Sequence, residues 1–389
     1  MTDGKKIGKQ WVIRLSIQPL LRLLPGFFYI ANLIRMLMIS SVPYFIILYL
    51  TGGVGLFLTL FLKKRKLDNI ILFLLFYFFT LVVNLLTVGN ISFNNLIVNV
   101  LLVGITLMML IKPWTYREGV IVFYLTALIM AYAMNASAVR RILVSSTNYI
   151  SILMILSAAF YYIALEKDER VLKLIDILPA LICFLISVWA RGRGGILSTA
   201  VLLVLMLFLY IRKVSNKYAR NSITIILFLF LIGVILLIRN VNLLDAFMSL
   251  GKWGTRGTDN SERMLIWSSY FAKMGESIRH VLLGPPLREI PIINLFRENC
   301  HNSFLQLHAY NGLLMFAIFV VVLARAFMYY WKRHKYLMII MLSVLILRGM
   351  TDKFIFGQYG MPIMLFLALF PLVDRQQMTN NGIIMGRRI

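Results

Sequence analysis

Uncharged apolar stretches long enough to cross a membrane recur along most of this chain. Residues 69–88, for example, carry no charged side chain. About 20 helical residues span the hydrocarbon core of a bilayer, which is about 30 Å thick. Soluble domains are about 45–50% apolar, whereas 60% of this sequence is hydrophobic. The sequence therefore predicts an all-α polytopic membrane protein, with residues 1–389 forming a single integral membrane domain.

Charged residues divide the apolar sequence into about twelve predicted transmembrane helices. The run 25–62 is too long for one helix and has basic residues on both flanks, so we interpret it as two spans that turn near Pro43. The other ten spans are predicted at residues 69–88, 93–111, 118–134, 148–165, 174–190, 195–211, 222–239, 311–330, 336–350 and 359–374.

The short basic loops set the predicted orientation. When the N-terminus is placed in the cytoplasm, the loops containing Lys112, Lys167 and Lys332 fall on the cytoplasmic side together with the C-terminal tail. Positive residues collect on that side of membrane proteins. The net charge of +25 is then explained by these loops and by contact with anionic membrane lipids. Nucleic acid is not an expected partner.

One long polar segment, residues 240–310, falls on the outer side. Within it, residues 264–274 predict a short amphipathic helix, and the Gly-Pro-Pro sequence at 284–286 predicts irregular backbone. Connections of this length are usually functional or contain structure of their own. We therefore expect the segment to contribute part of a functional site at the outer membrane face.

The sequence Arg-Gly-Arg-Gly-Gly at 191–195 places two arginines in a short outer turn. An arginine side chain presents a planar fork of donors that suits phosphate oxygens, and glycines leave the backbone open to a ligand. This reading predicts an anionic, membrane-anchored ligand such as a lipid pyrophosphate. The alternative is a hydrophilic turn whose arginines reach lipid head groups.

Arg263 and His301 are the candidate functional residues of the long segment. Arg263 lies at the start of the predicted short helix, and His301 lies beside Asn302 at the entry to the next span. A histidine there can position or deprotonate a hydroxyl group near neutral pH. The alternative is a loop histidine satisfied by its neighbours. His308 shares a helix face with His301 if the helix begins early.

Other charged residues allow two interpretations each. Arg348 and Asp352, near the outer end of a span, can pair and either brace the site or bind substrate. Glu166 and Asp168 have the spacing of a metal-binding pair, but their basic cytoplasmic surroundings favour a solvated charged loop. Arg35 is either buried with a partner or a sign that the first hairpin is misplaced.

These segments resemble the shared core of bacterial O-antigen polymerases and O-antigen ligases. The resemblance rests on the 191–195 turn that opens a helix, on the segment around Arg263, and on His-Asn-Ser-Phe-Leu-Gln at 301–306 followed by Asn-Gly-Leu. It covers residues 175–350, while the first half of the chain is similar only in hydropathy. The second arginine of the turn and the Gly-Pro-Pro sequence depart from the usual pattern.

This resemblance implies a GT-C-like, metal-independent, inverting glycosyltransferase of the bacterial inner membrane, without a cofactor. Its site and long loop would be periplasmic, and both termini cytoplasmic. Its donor and acceptor would be glycans on undecaprenyl pyrophosphate, and a chain-length regulator and a flippase are the implied protein partners. Catalytic roles are implied for Arg193, Arg263 and His301. The predicted substrate-binding residues are Arg191, Arg288, Asn302 and Arg348.

Three functions are compatible with the sequence. Polymerisation of lipid-linked repeat units is favoured, because the His-Asn-Ser-Phe-Leu-Gln segment is more similar to the polymerase branch. Ligation of finished glycan to the lipid A core uses the same kind of site. A polysaccharide or lipid transporter, such as a flippase, also suits twelve spans, but transporters are typically built from repeated halves, and no internal repeat is evident here.

Overall fold

The computed structural model describes residues 18–36, 42–61, 68–135, 147–190, 192–213, 221, 225 and 261–386. These residues form fourteen α-helices and two short 3-10 segments, Leu174–Ile177 and Leu287–Glu289. The helices are α1 Gln18–Met36, α2 Val42–Phe61, α3 Asp68–Thr87, α4 Phe93–Ile111, α5 Tyr116–Asn135, α6 Thr147–Lys167, α7 Leu178–Ala190, α8 Arg193–Lys213, α9 Ser261–Gly275, α10 Ile278–Leu283, α11 Pro291–Leu295, α12 Ser303–Lys332, α13 Tyr336–Thr351 and α14 Met361–Gly386.

Six helices in the described part of the chain are long and apolar enough to cross a membrane, namely α2, α3, α4, α6, α8 and α12. Helices α7, α13 and the first half of α14 are apolar but shorter. The all-α, multi-pass membrane architecture is therefore confirmed. Helices α1 and α5 coincide with predicted spans without belonging to the six, and the predicted span 222–239 lies almost entirely outside the described residues.

The long apolar run near the N-terminus forms two helices, as the sequence predicts. Helix α1 ends at Met36 and α2 begins at Val42. Pro43 therefore lies in the first turn of α2, where the missing N–H of proline costs no helical hydrogen bond. The sequence predicted the turn near Pro43, but Pro43 itself is helical, and residues 37–41 between the two helices lie outside the described residues.

Helix α6 forms the centre of the bundle. Most of its side chains are buried, and it packs against α1, α5, α7, α8 and α13. A helix that is apolar on all sides belongs inside a bundle, whereas a helix at the lipid boundary keeps one face exposed. The helices around α6 therefore bring their ends together at the two membrane faces.

Helix α12 is broken near its outer end. Gly312 has φ 74° and ψ 177°, which no helical residue adopts, and a Cβ atom at this position would overlap the carbonyl oxygen of Leu282. The break frees the carbonyl oxygen of Ala309, which accepts hydrogen bonds from the side-chain amides of Asn84 and Asn90, both at 2.8 Å. Helix α10 can therefore pack directly against the broken segment.

Two carboxylates hold helix ends at one end of the bundle. Glu166 accepts a hydrogen bond from the backbone N–H of Leu337 at the start of α13 (2.9 Å), and Asp168 accepts one from that of Tyr116 at the start of α5 (2.8 Å). Carboxylates stabilise helix N-termini in this way. The prediction of a solvated charged loop at these residues was wrong, because both side chains cap helices.

The same end of the bundle gathers basic residues from distant loops. Lys213, at the end of α8, and Lys335, before α13, both interact electrostatically with Glu166. We call this end the basic face. Loops that the sequence places together in the cytoplasm therefore meet at one end of the structure.

Candidate active site

Ionisable side chains from three separate segments converge at the opposite end of the bundle, which we call the site face. They interact electrostatically with one another and form the charge cluster, which consists of Glu262, Arg263, His301, Arg348, Asp352 and Lys353. The contributing segments are the first turn of α9, the loop before α12, and the end of α13 with the residues that follow it. Residues about 90 positions apart in sequence thus become neighbours.

The loop that presents His301 has a strained backbone. The φ angle of His301 is 47°, and those of Arg297 and Glu298 are 54° and 58°. Residues other than glycine seldom adopt this conformation, and such strain is concentrated at functional sites. The backbone N–H of His301 donates a hydrogen bond to the side-chain oxygen of Asn299 at 2.9 Å, which helps to hold the turn.

Two side chains from neighbouring helices brace this loop. Gln306, in α12, accepts a hydrogen bond from the N–H of Cys300 and donates one to the carbonyl oxygen of Glu298, both at 3.2 Å. The indole N–H of Trp267, in α9, donates to the carbonyl oxygen of Cys300 at 3.1 Å. The position of His301 is therefore fixed from both helices, as a site residue requires.

The imidazole of His301 is half-buried and suited to accept a proton. Burial lowers its pKa from the ordinary value, the nearby charge of Asp352 raises it, and that of Arg263 lowers it again. The ring packs edge-on against Phe296, with centroids 5.3 Å apart. Within the described part of the chain, its Nδ1 atom is buried and has no hydrogen-bond partner. A neutral imidazole can act as a general base.

Arg348 and Asp352 form a buried ion pair one helical turn apart. Their side chains are 0% and 5% exposed, and Nη2 of Arg348 lies 3.2 Å from Oδ2 of Asp352. Another guanidinium nitrogen, Nη1, donates to the hydroxyl of Thr351 at 2.8 Å. The sequence allowed either a bracing or a substrate-binding role for this pair. Complete burial of the guanidinium favours bracing.

Ser303 connects the start of α12 to the segment after α13. Its hydroxyl donates to the carbonyl oxygen of Asp352 at 2.7 Å and accepts from the N–H groups of Phe354 and Ile355 at 3.1 and 3.3 Å. The serine is completely buried. This three-bond junction sets the distance between the His301 loop and the carboxylate of Asp352.

The first turn of α8 packs against the charge cluster. A Cβ atom on Gly194 would lie 2.8 Å from the hydroxyl oxygen of Thr351 and 3.1 Å from Nη1 of Arg348, and one on Gly195 would overlap the side chain of Ser151. Helix packing therefore requires these two glycines. The interpretation that they leave backbone open to a ligand was wrong, because neighbouring side chains fill that space.

The structure describes the two arginines of the same turn only in part. Arg193 is the first residue of α8, so its backbone lies at the site face beside Gly194. Its side chain, and Arg191 as a whole, lie outside the described residues. The predicted roles of both arginines stay predictions.

Asn302 and Arg288 contact neighbours within the outer segment. Asn302 is the N-cap of α12, and its side-chain oxygen accepts hydrogen bonds from the N–H groups of Phe304 and Leu305 at 2.8 and 3.2 Å. Arg288 is exposed and pairs with Glu298 at 2.7 Å. Asn302 thus fixes the start of α12, while Arg288 lies outside the charge cluster.

His308 does not share a helix face with His301, because α12 begins at Ser303. Its Nδ1 is 2.6 Å from the hydroxyl oxygen of Tyr270, and its Nε2 is 2.8 Å from the carbonyl oxygen of Val281. Since both ring nitrogens are engaged, His308 joins α9, α10 and α12 and has no nitrogen left for chemistry.

Lys353 is a member of the charge cluster that the sequence did not single out. Its ammonium group donates to the hydroxyl of Tyr310 at 2.8 Å and lies close enough to His301 to lower its pKa. The sequence feature that could have identified Lys353 is its position directly after Asp352.

Arg35 also belongs to the surroundings of the site. It lies in the last turn of α1, exposed, with its guanidinium 4.4 Å from the ring centroid of Tyr44. Tyr149 and Tyr359, whose rings are 6.1 Å apart, interact electrostatically with Arg35 and also with Asp352. The sequence allowed two interpretations of Arg35, either burial with a partner or an error in the position of the first hairpin. Arg35 is exposed, and the two helices of the hairpin form as predicted, so neither interpretation holds.

Comparisons with protein-family models, with curated proteins and with solved structures give no match. The functional assignment therefore depends on the chemistry of the charge cluster and on the sequence motifs that supply it.

Proposed function

We propose that this protein is a surface-polysaccharide (O-antigen) polymerase, which joins undecaprenyl-pyrophosphate-linked oligosaccharide repeat units at the periplasmic face of the bacterial inner membrane. The convergence of His301, Arg263 and Asp352 at one end of the helix bundle is the observation that carries the proposal. A half-buried base next to a cation, at the level where helices leave the membrane, suits a reaction between two lipid-anchored glycans.

The proposed reaction needs a base and a group that stabilises negative charge. A hydroxyl oxygen of the acceptor sugar attacks the anomeric carbon of the donor glycan, and His301 accepts the hydroxyl proton. The bond between the anomeric carbon and the pyrophosphate oxygen breaks, and the pyrophosphate leaves with the electron pair. Attack from the side opposite the leaving group inverts the anomeric centre. Preorganised cations stabilise the developing charge.

Arg263 is the cation that we assign to the pyrophosphate. It is half-buried and forms no ion pair with any described residue, whereas the charge of Arg348 is offset by Asp352. Arg193 is assigned to the same leaving group because α8 begins at the site face. Arg348 then acts as a positioning residue that holds Asp352 and the end of α13.

The proposed topology has twelve spans, with the basic face in the cytoplasm and the site face in the periplasm, in a GT-C-like arrangement. The charge distribution supports this orientation, since positive loops stay inside. Helix α8 runs from the site face to the basic face, while α9 lies again at the site face. A further crossing between them is needed, and the apolar stretch 222–239 has the length for it.

A transporter is disfavoured by the location of the charges. Substrate sites of secondary transporters usually lie near the bilayer midplane. The charge cluster lies where α8, α12 and α13 begin or end. This position suits a reaction at the membrane surface better than passage through the bilayer.

Deletion of the gene is expected to leave a lipid A core that carries a single repeat unit, because repeat units are still made and ligated but no longer joined. Electrophoresis of lipopolysaccharide from the deletion strain, with a plasmid-complemented strain as control, measures this. A bare core would identify a ligase instead, and unchanged long glycan would contradict both assignments.

The pH dependence of polymerisation is expected to reflect His301. Burial lowers the pKa of His301 below the ordinary value of about 6.5, so the neutral form, which is competent as a base, predominates at pH 6.5. As the pH falls through the lowered pKa, the imidazole becomes protonated and the rate should fall. Initial rates of the purified enzyme between about pH 5 and 8 test this. An acid limb with its midpoint above pH 6.5 would contradict the assignment.

A further inference from the structure

An apolar groove with a volume of about 180 Å³ lies between α3, α10 and the broken segment of α12. None of its lining residues belongs to the charge cluster. Its walls include Phe79, Leu282 and Leu314, which are 62%, 52% and 62% exposed. In a membrane-spanning bundle, exposed apolar side chains of this kind face lipid, so the groove opens sideways toward the bilayer.

Two buried amide side chains line this groove. Asn84 and Asn311 are 2% and 5% exposed, and the side-chain N–H₂ groups donate at 2.8 Å to the carbonyl oxygen of Ala309 and to the hydroxyl of Thr80. These bonds fix which end of each amide is the oxygen. Within the described residues, neither amide oxygen has a hydrogen-bond partner. An unpaired buried acceptor is costly, and a hydroxyl donor from an occupant would satisfy it.

An arginine lies at the outer end of the groove. The guanidinium of Arg279 donates to the carbonyl oxygen of Thr87 at 2.6 Å. Thr87 is one helical turn beyond Val83 on α3, and Arg279 is nearly one turn before Leu282 on α10, so this contact sits directly beside the groove lining. Arg279 is exposed and forms no ion pair with the described residues. Such a guanidinium suits a lipid phosphate.

We propose that the groove is a binding site for phosphatidylglycerol, separate from the site of glycan transfer. One acyl chain lies between α3 and α12, the phosphate binds Arg279, and a glycerol hydroxyl of the head group donates to the amide oxygen of Asn84. Asn84 is less than one helical turn from Thr87, which is within about 5 Å along the helix axis. Phosphatidylglycerol combines the three chemistries that the groove presents, namely an apolar chain, an anion and hydroxyl donors.

Photo-crosslinking tests the site residue by residue. The full-length protein is placed in phosphatidylcholine vesicles that contain a small fraction of phosphatidylglycerol with a diazirine in one acyl chain, and the labelled residues are mapped by mass spectrometry. Labelling is expected to concentrate on Phe76, Phe79 and Leu314 and to be displaced by unlabelled phosphatidylglycerol. Arg279→Gln should lower it about tenfold, the effect of losing one charge-assisted hydrogen bond.

Arg288→Gln is the matched control, because it removes another exposed arginine of the same segment that is already paired with Glu298, and it should leave labelling unchanged. Val83→Trp, which fills the groove, should abolish labelling while the bundle stays folded. Equal labelling of Arg279→Gln and wild type, or labelling spread evenly over the lipid-facing side of α2, would overturn the proposal. Displacement by a polyprenyl phosphate but not by phosphatidylglycerol would overturn it as well.

Discussion

Replacing Arg263 with alanine is expected to lower the rate of glycan polymerisation by about 10²–10³-fold, which is the usual cost of losing one preorganised donor that stabilises developing negative charge. Arg263 interacts electrostatically with His301 and Arg348, so its guanidinium lies close to the proposed base. The rate is measured with purified protein and defined lipid-linked repeat units, after comparison of expression and unfolding temperature with wild type.

Two further variants make this result specific. Arg263→Lys keeps the charge but loses the planar fork, so it should recover only part of the rate. Arg297→Ala removes an exposed arginine from the loop that precedes His301 and should remain near the wild-type rate. A folded Arg263→Ala variant with wild-type activity would remove this residue from the mechanism.

Replacing Asp352 with alanine is expected to destabilise the protein by about 3–5 kcal/mol, because breaking a buried ion pair leaves an uncompensated charge in a low-dielectric interior. The guanidinium of Arg348 is 0% exposed and cannot turn to water without opening the end of α13. Denaturant unfolding of the purified protein in detergent measures the change.

A surface ion pair provides the comparison for this destabilisation. Glu298→Ala breaks the pair with Arg288, whose side chain is 65% exposed, and exposed pairs contribute little to stability. The Asp352 variant should therefore unfold at a clearly lower denaturant concentration than the Glu298 variant. Equal midpoints would show that the buried pair does not brace the end of α13.

The elements that sequence predicts well are those with a local physical cause. The apolar run 69–88 and the observed helix Asp68–Thr87 nearly coincide, because length and lack of charge decide a membrane helix. The amphipathic stretch 264–274 likewise lies within α9, Ser261–Gly275. The possible pairing of Arg348 with Asp352 was also visible, since residues four apart meet on one helix face.

The start of α12 was missed although its signal is local. The predicted span began at residue 311, but the helix begins at Ser303, with Asn302 as its cap, and breaks at Gly312. Asparagine before serine is typical of a helix N-terminus. The predicted start at residue 311 was based instead on the length of the apolar run. Hydropathy identifies the part of a helix that lies in the membrane. It does not identify helical turns that continue outside the apolar run.

The composition of the site could be predicted only in part, because its neighbours come from distant segments. Arg263 and His301 were selected by motif, and the structure brings them together with Lys353. Lys353 is marked locally only by its position after Asp352, and Arg35 has no local pattern that links it to the site. Their proximity to the site depends on how α1, α12 and α13 pack, which no short stretch of sequence specifies.

Reconstitution of the purified protein with a defined undecaprenyl-pyrophosphate-linked repeat unit tests the central claim most directly. We expect a ladder of lengthened lipid-linked glycans and one released undecaprenyl pyrophosphate per bond formed, with the same yield in the presence of a metal chelator. His301→Ala in the same assay should give no ladder. A ladder of wild-type length from the His301 variant, or no lengthened product from folded wild-type protein, would contradict the account.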